Sequence, residues 1–159
     1  MLCIIFDVDG VLIDTMSFHA EAIRIAIKEE TNLDIDKKII YLLEGMPSAE
    51  LIKEVFKRKG YHNTEGVYDN SELVEKIGKK KKEIFKSIIE SKPFDGVKEL
   101  INDLSKSKCL KALVTGAADQ ELELILNKSN IAKKNFDVII TGDDLEEGKP
   151  DPTPFQAAL

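Results

Sequence analysis

Leu2-Cys3-Ile4-Ile5-Phe6-Asp7-Val8-Asp9-Gly10 is an apolar run that breaks into two carboxylates one position apart and then a glycine. A short continuous apolar run bounded by a breaker reads as a buried strand. Side chains alternate along an extended chain, so Asp7 and Asp9 are expected to point the same way at the strand's carboxyl end. In open α/β sheets that end is where ligands bind. Two carboxylates this close call for a compensating cation, and Gly10 lets the backbone turn sharply behind them. A hard divalent ion such as Mg2+ suits a pair of oxygen donors.

Working outward, the C-terminal half alternates helix (97–106), strand (109–115), helix (119–128) and strand (136–141). That order implies a parallel sheet with right-handed crossovers. Between it and the first strand the pattern is helical throughout. Ala20, Ile23, Ala26 and Ile27 recur at helical spacing in 15–30, and Leu51, Ile52, Val55 and Phe56 do so in 48–59, with Ser48 as N-cap and Gly60 just past the end. Val74, Ile77, Ile84, Phe85 and Ile88 mark a third helix over 71–90, whose middle is weakened by Gly78 and the lysines 79–82. Pro93 and Gly96 mark the return. The expected architecture is α/β: an incomplete Rossmann-like parallel core of about three strands, built from residues 1–14 and 93–159, with an all-α insert at 15–92.

Composition narrows the function classes. The chain has 159 residues, 43% hydrophobic and 33% charged, which suits a globular protein rather than a disordered one. A net charge of −6 gives no general attraction for nucleic acid, and the lysines 79–82 read as the solvated side of a helix rather than an anion-binding strip. Arg24 and Arg58 are the sole arginines, so bidentate phosphate clamps are scarce. No run is long enough to span a membrane, and the N-terminus lacks a basic leader and is interrupted by Asp7. Cys3 and Cys109 sit in apolar runs and read as reduced structural thiols, which points to the cytosol.

Three loops carry the chemistry. Beyond Asp7 and Asp9, the second core strand ends in Thr115-Gly116, where a hydroxyl and a backbone N–H can hold phosphoryl oxygens. After the third comes Gly148-Lys149-Pro150, a lysine in a loop stiffened by proline. Taken singly, the acids could cap a turn, Thr115 could simply end a strand and Lys149 could be solvated. Emerging from one edge of a parallel sheet, they carry more weight together.

In this combination the chain resembles the haloacid dehalogenase-like hydrolase superfamily. The matching residues are Asp7-Val8-Asp9-Gly10-Val11-Leu12-Ile13-Asp14-Thr15, then Thr115-Gly116, then Gly148-Lys149-Pro150-Asp151-Pro152, with the helical insert where that superfamily places its type 1 cap. The resemblance implies phosphomonoester hydrolysis through an aspartyl phosphate on Asp7, with Asp9 as acid and then base. It also implies that Gly10, Thr115 and Gly116 bind phosphoryl oxygens, that Lys149 offsets charge, and that Mg2+ is held by Asp7 and the Asp9 carbonyl. Within the insert, Asp14-Thr15, His19 and Glu44-Gly45-Met46-Pro47 resemble the phosphoglycolate phosphatase and β-phosphoglucomutase subgroup. There His19 would lie near the site entrance and Glu44 and Gly45 would help select the leaving group. Read without the resemblance, His19 is equally a surface histidine and 44–45 a turn between helices.

Relatives of this kind continue into a further strand ending in acids that complete the metal site, whereas this chain stops at 155–159 inside an expected helix. Asp143 and Asp144 are tempting substitutes. In the superfamily's sheet order, however, one strand separates theirs from the first, a distance of about 10 Å at ~4.8 Å per strand, and they read better as loop acids. The strand at 2–6 is expected to be an open apolar edge that pairs with another copy, binds a complementary segment, or limits solubility. Three functions follow: a Mg2+-dependent phosphatase of small phosphorylated metabolites, a sugar-phosphate mutase, or a non-catalytic fragment that binds a phosphate compound or a partner. A response-regulator receiver also uses strand-end acids, a threonine and a lysine, but the helical insert and the lack of an acceptor Asp at the end of a third-strand equivalent argue against it.

Overall fold

A computed structural model describes residues 2–43, 46–60 and 71–159. The elements run β1 (Cys3–Phe6), β2 (Ile13–Asp14), α1 (Met16–Thr31), α2 (Lys37–Tyr41), α3 (Ser48–Lys59), α4 (Ser71–Ile88), β3 (Lys92–Pro93), α5 (Val97–Ser105), β4 (Leu110–Val114), α6 (Asp119–Ser129), β5 (Val138–Ile140) and α7 (Thr153–Ala157). They fall into two compact units, residues 1–16 with 89–159, and residues 17–88.

The first unit is the α/β fold expected from the alternation of apolar runs. Its sheet has the order β1-β4-β5, parallel throughout, with Ile5 opposite Ala112 and Leu113 opposite Ile139. The central strand is the most buried: Ala112, Leu113 and Val114 are each 0% exposed, as befits a parallel strand covered on both faces. On one face Ala112, Val114 and Ala158 cluster with Cys3, Ile5 and Ile140. Asp137 sets the β4–β5 register, its N–H donating to the Lys111 carbonyl and its carboxylate accepting the Lys111 N–H, both at 2.7 Å. Among the described residues β1 pairs only with β4, and all four of its residues are half-buried. Cys3 and Cys109 are both free thiols.

The two-residue strands β2 and β3 pair antiparallel, Ile13 with Pro93 and Asp14 with Lys92. Segments this short carry no readable period, and they are absent from the sequence reading. Lys128 at the end of α6 donates to the Ile89 carbonyl at 2.7 Å, a bond within the first unit.

The helical unit buries Ile23, Ile27, Ile40, Ile52, Val55, Phe56 and Ile77 in one core. The sequence reading lacks α2, a single turn capped by Asp36, whose carboxylate accepts the Lys38 N–H at 2.9 Å. Ser48 is not the cap of α3. Pro47 holds that position, because its carbonyl already accepts from Leu51 at 3.0 Å, so helical bonding starts one residue earlier. Gly60 ends α3 in the left-handed region at φ +60°, where glycine is least costly.

α4 runs unbroken through Gly78, with Lys79 and Lys82 exposed as expected and Lys80 and Lys81 partly or fully buried. Lys76 and Lys80 contact the Glu30 carboxylate at 2.6 and 2.7 Å, and Lys79 pairs with Glu75 at 2.6 Å. Lys81 is buried, its ammonium 4.9 Å from the centre of the Phe85 ring.

Candidate active site

The site begins in the turn after β1. Val11, Leu12 and Ile13 all donate to the Val8 carbonyl, at 3.3, 3.0 and 3.0 Å, while Gly10 donates to Ile13 at 2.9 Å. Gly10 sits at φ +74°, and a Cβ there would stand 2.9 Å from Met16 Cγ. The positive φ favours glycine at this bend, and a side chain there would also have to displace Met16. The turn returns the chain so that the Thr15 hydroxyl donates to Asp9 Oδ1. Thr15 is fully buried. Sequence reasoning quoted Thr15 in the motif but gave it no site role, and a tight glycine turn six residues long was the available signal.

The remaining residues arrive from the ends of the next two strands. Thr115, directly after β4, places its hydroxyl 3.5 Å from Asp9 Oδ2 and accepts the Ala117 N–H at 3.1 Å. Lys149, in the loop after β5, places its ammonium 2.8 Å from Asp7 Oδ2 and donates to the Val114 carbonyl at 3.2 Å. Asp7 Oδ1 accepts the Val8 N–H at 2.7 Å. The Lys149 side chain is 20% exposed and that of Asp7 38%, so the pair is sheltered yet reachable from solvent. Asp7, Asp9, Thr115 and Lys149 thus gather at the carboxyl ends of parallel strands, with Gly116 beside Thr115 open enough that a Cβ would touch nothing within 4 Å.

Three further residues were expected at the site: His19, Glu44 and Gly45. His19 belongs to the helical unit, where its ring stacks on Phe85 with centroids 4.1 Å apart. Glu44 and Gly45 lie outside the described residues.

Asp143 and Asp144 do serve the loop. Asp144 accepts both the N–H and the hydroxyl of Thr141, each at 2.7 Å, and these bonds hold its carboxyl below the usual range. Asp143 accepts the Asp119 N–H at 2.9 Å. β4 separates their strand from β1, as the sheet order anticipated. Asp151 accepts the hydroxyl and N–H of Thr153, which lowers its carboxyl and opens α7 just beyond the cis Lys149–Pro150 bond. Among the described residues no group of three or more His, Cys, Asp or Glu side chains gathers to form a metal site.

An aspartate paired with a lysine, a second aspartate contacted by two threonine hydroxyls, and the Thr115-Gly116 turn thus share one edge of the parallel sheet, where α/β folds bind ligands. The family model for the haloacid dehalogenase-like hydrolases matches residues 4–159, and the chain belongs to that family. Within it the chain falls in the subgroup of phosphoglycolate phosphatases and β-phosphoglucomutases.

It is 29% identical over 163 residues to a phosphorylated carbohydrates phosphatase of Thermotoga maritima, covering 100% of this chain and 69% of the relative. It is 27% identical to a β-phosphoglucomutase of Bacillus subtilis, covering 99% of this chain and 68% of that one. The crystal structure of CbbY from Rhodobacter sphaeroides in complex with phosphate superposes with a TM-score of 0.79 at 26% identity, covering 100% of this chain and 72% of that one. The chain therefore spans about two thirds of the length of these relatives. Among the described residues no helix is long and apolar enough to cross a membrane.

Proposed function

We propose that the site hydrolyses phosphomonoesters of small phosphorylated metabolites through an aspartyl phosphate on Asp7. The 2.8 Å Asp7–Lys149 pair carries this reading, because it sets a carboxylate nucleophile beside a cation able to offset the charge of an incoming phosphoryl group. Asp7 attacks phosphorus, the bond from phosphorus to the ester oxygen breaks, and Asp9 in its acid form gives that oxygen a proton. Asp9 then takes a proton from water as the water attacks phosphorus, and the Asp7–phosphorus bond breaks to release inorganic phosphate. Thr115 and Gly116 would steady the phosphoryl oxygens at the β4 end.

Mg2+ suits this donor set. The Asp7 carboxylate and the Asp9 carbonyl are hard oxygen ligands, and Mg2+ commonly takes one or two carboxylates and keeps several waters. When bound, it would supply further neutralisation of phosphoryl charge. The free thiols Cys3 and Cys109 support a reducing compartment such as the cytosol.

Phosphate release from an aryl phosphate is the test, run with Mg2+, with chelator, and with Asp7→Asn. Chelator-sensitive release abolished by Asp7→Asn supports the proposal. Release that requires a bisphosphate activator would favour the mutase, to which the likeness to a β-phosphoglucomutase gives weight. A folded chain with no release would favour the non-catalytic reading.

A further inference from the structure

We propose that Gly142 and Asp143 are positioning residues for the phosphoryl-binding loop at 115–117, a role that rests on the phosphatase reading. Three bonds tie the end of β5 to that loop and the helix behind it. Thr115 donates to the Ile140 carbonyl at 3.0 Å, Gly142 donates to the Ala117 carbonyl at 2.9 Å, and Asp119 donates to Asp143 Oδ2 at 2.9 Å.

The approach at Gly142 is backbone against backbone. A Cβ there would stand 2.5 Å from the Gly116 carbonyl oxygen and 3.1 Å from its carbon, atoms that cannot swing aside as a side chain could. Asp143 does for α6 what that helix's own sequence does not. Ala118 holds the N-cap position and makes no side-chain cap bond, so a carboxylate from another loop satisfies the first helical N–H and sits at the positive end of the helix dipole. Asp143 is itself steadied, its N–H donating to the Thr141 hydroxyl at 3.3 Å while Asp144 closes the same turn.

Ala117 transmits this grip to the site. Its carbonyl is held by Gly142 and its N–H by the Thr115 hydroxyl, the group that contacts Asp9. Loosening the Gly142–Asp143 clamp therefore frees the loop whose donors must be aimed before phosphate arrives.

The test compares Asp143→Ala, Asp143→Asn and Gly142→Ala, with Glu146→Gln as a control for loss of one charge from the same loop. Two readouts are taken: KM and inorganic-phosphate inhibition with an aryl phosphate, and amide hydrogen exchange at Ala117 and Asp119 by NMR. Asp143→Ala is expected to raise KM and the phosphate inhibition constant about tenfold, the effect of one lost hydrogen bond, and to speed exchange at both amides. Asp143→Asn keeps an acceptor oxygen and should restore both readouts to within about twofold, and Gly142→Ala should reproduce the defect. Faster exchange confined to Asp119, or an unchanged KM in an active wild-type background, overturns the proposal. If wild-type protein releases no phosphate, the phosphatase reading fails by itself, and exchange at Ala117 still decides whether the clamp holds the loop.

Discussion

Replacing Lys149 with glutamine separates what the lysine does for folding from what it does for chemistry. Its ammonium stands 2.8 Å from Asp7 Oδ2 and 3.2 Å from the Val114 carbonyl. Two unit charges at that separation attract by about 6 kcal/mol at an effective dielectric of ~20. Most of this is offset by desolvation of the lysine and by water reaching Asp7, whose side chain is 38% exposed, leaving a net contribution of about 1–2 kcal/mol. Glutamine can still donate to Val114, so the folded state should lose about 1 kcal/mol, a fall of roughly 2–4 °C in Tm. In the transition state phosphoryl charge gathers beside the same ammonium, and only interactions stronger there than in the ground state govern kcat. The expected loss is about 10²–10³ in kcat, the usual cost of removing one preorganised electrostatic donor. Phosphate release from an aryl phosphate and thermal denaturation of the same preparation measure the two effects. A variant retaining more than a third of wild-type kcat would refute the placement of Lys149 against developing charge. A Tm loss several times larger would show that the lysine chiefly holds the loop together.

Thr15→Val removes the buried hydroxyl that donates to Asp9 while keeping its shape, and should cost about 1.5–3 kcal/mol by chemical denaturation, with Thr15→Ser restoring most of it. Gly10→Ala forces an L side chain to φ +74° against Met16 and should destabilise by about 1–2 kcal/mol in the same assay. Glu21 gives a pH prediction. Bonds from Arg24, then Lys37, bring its carboxyl from 4.5 down to about 2, so its stabilisation is complete above the unfolded value and fades as pH falls from 4.5 towards 2. Its side chain is 26% exposed, so solvent screening reduces the contribution to about 1–2 kcal/mol, and Glu21→Gln should flatten the acid limb of the Tm–pH curve by that amount.

The strands were legible because each is a short apolar run ending at a breaker, and the long helices because their apolar stripes repeat over several turns. α2 and the β2–β3 pair were not, since five- and two-residue elements hold too few positions for a period and owe their form to neighbours. The lysine run of α4 was read only in part: Lys79 and Lys82 are exposed as expected, but Lys80 is half-buried and Lys81 buried. The sequence displays its charge but not Glu30, some fifty residues away, which takes Lys80 at 2.7 Å. At the site, Asp7, Asp9 and Thr115 were readable because they follow strand ends in a parallel order, whereas Lys149 lies nine residues beyond β5 and was readable only together with the other two loops. The Gly142 contact was not readable. It is a matter of ångströms between two backbones, and a glycine in a loop has many other reasons to be there.

The two acids at the end of β1 differ in sequence position by two residues, yet the proposed chemistry asks opposite things of them, and the groups that contact them differ. Asp7 faces an ammonium, which stabilises negative charge in one direction only: it can donate to a carboxylate and can accept nothing. Asp9 meets the hydroxyls of Thr15 and Thr115. A hydroxyl rotates, donating to a carboxylate or accepting from a carboxylic acid, so the same two threonines can hold Asp9 in place through both halves of an acid-then-base cycle. A neutral hydroxyl in place of the ammonium at Asp7 would leave the approach of an anionic phosphoryl group without a compensating charge. The division follows from topology. Lys149 comes from the loop after β5 and donates to the last residue of β4, reaching Asp7 across the central strand, while the Gly10 turn folds Thr15 back onto Asp9.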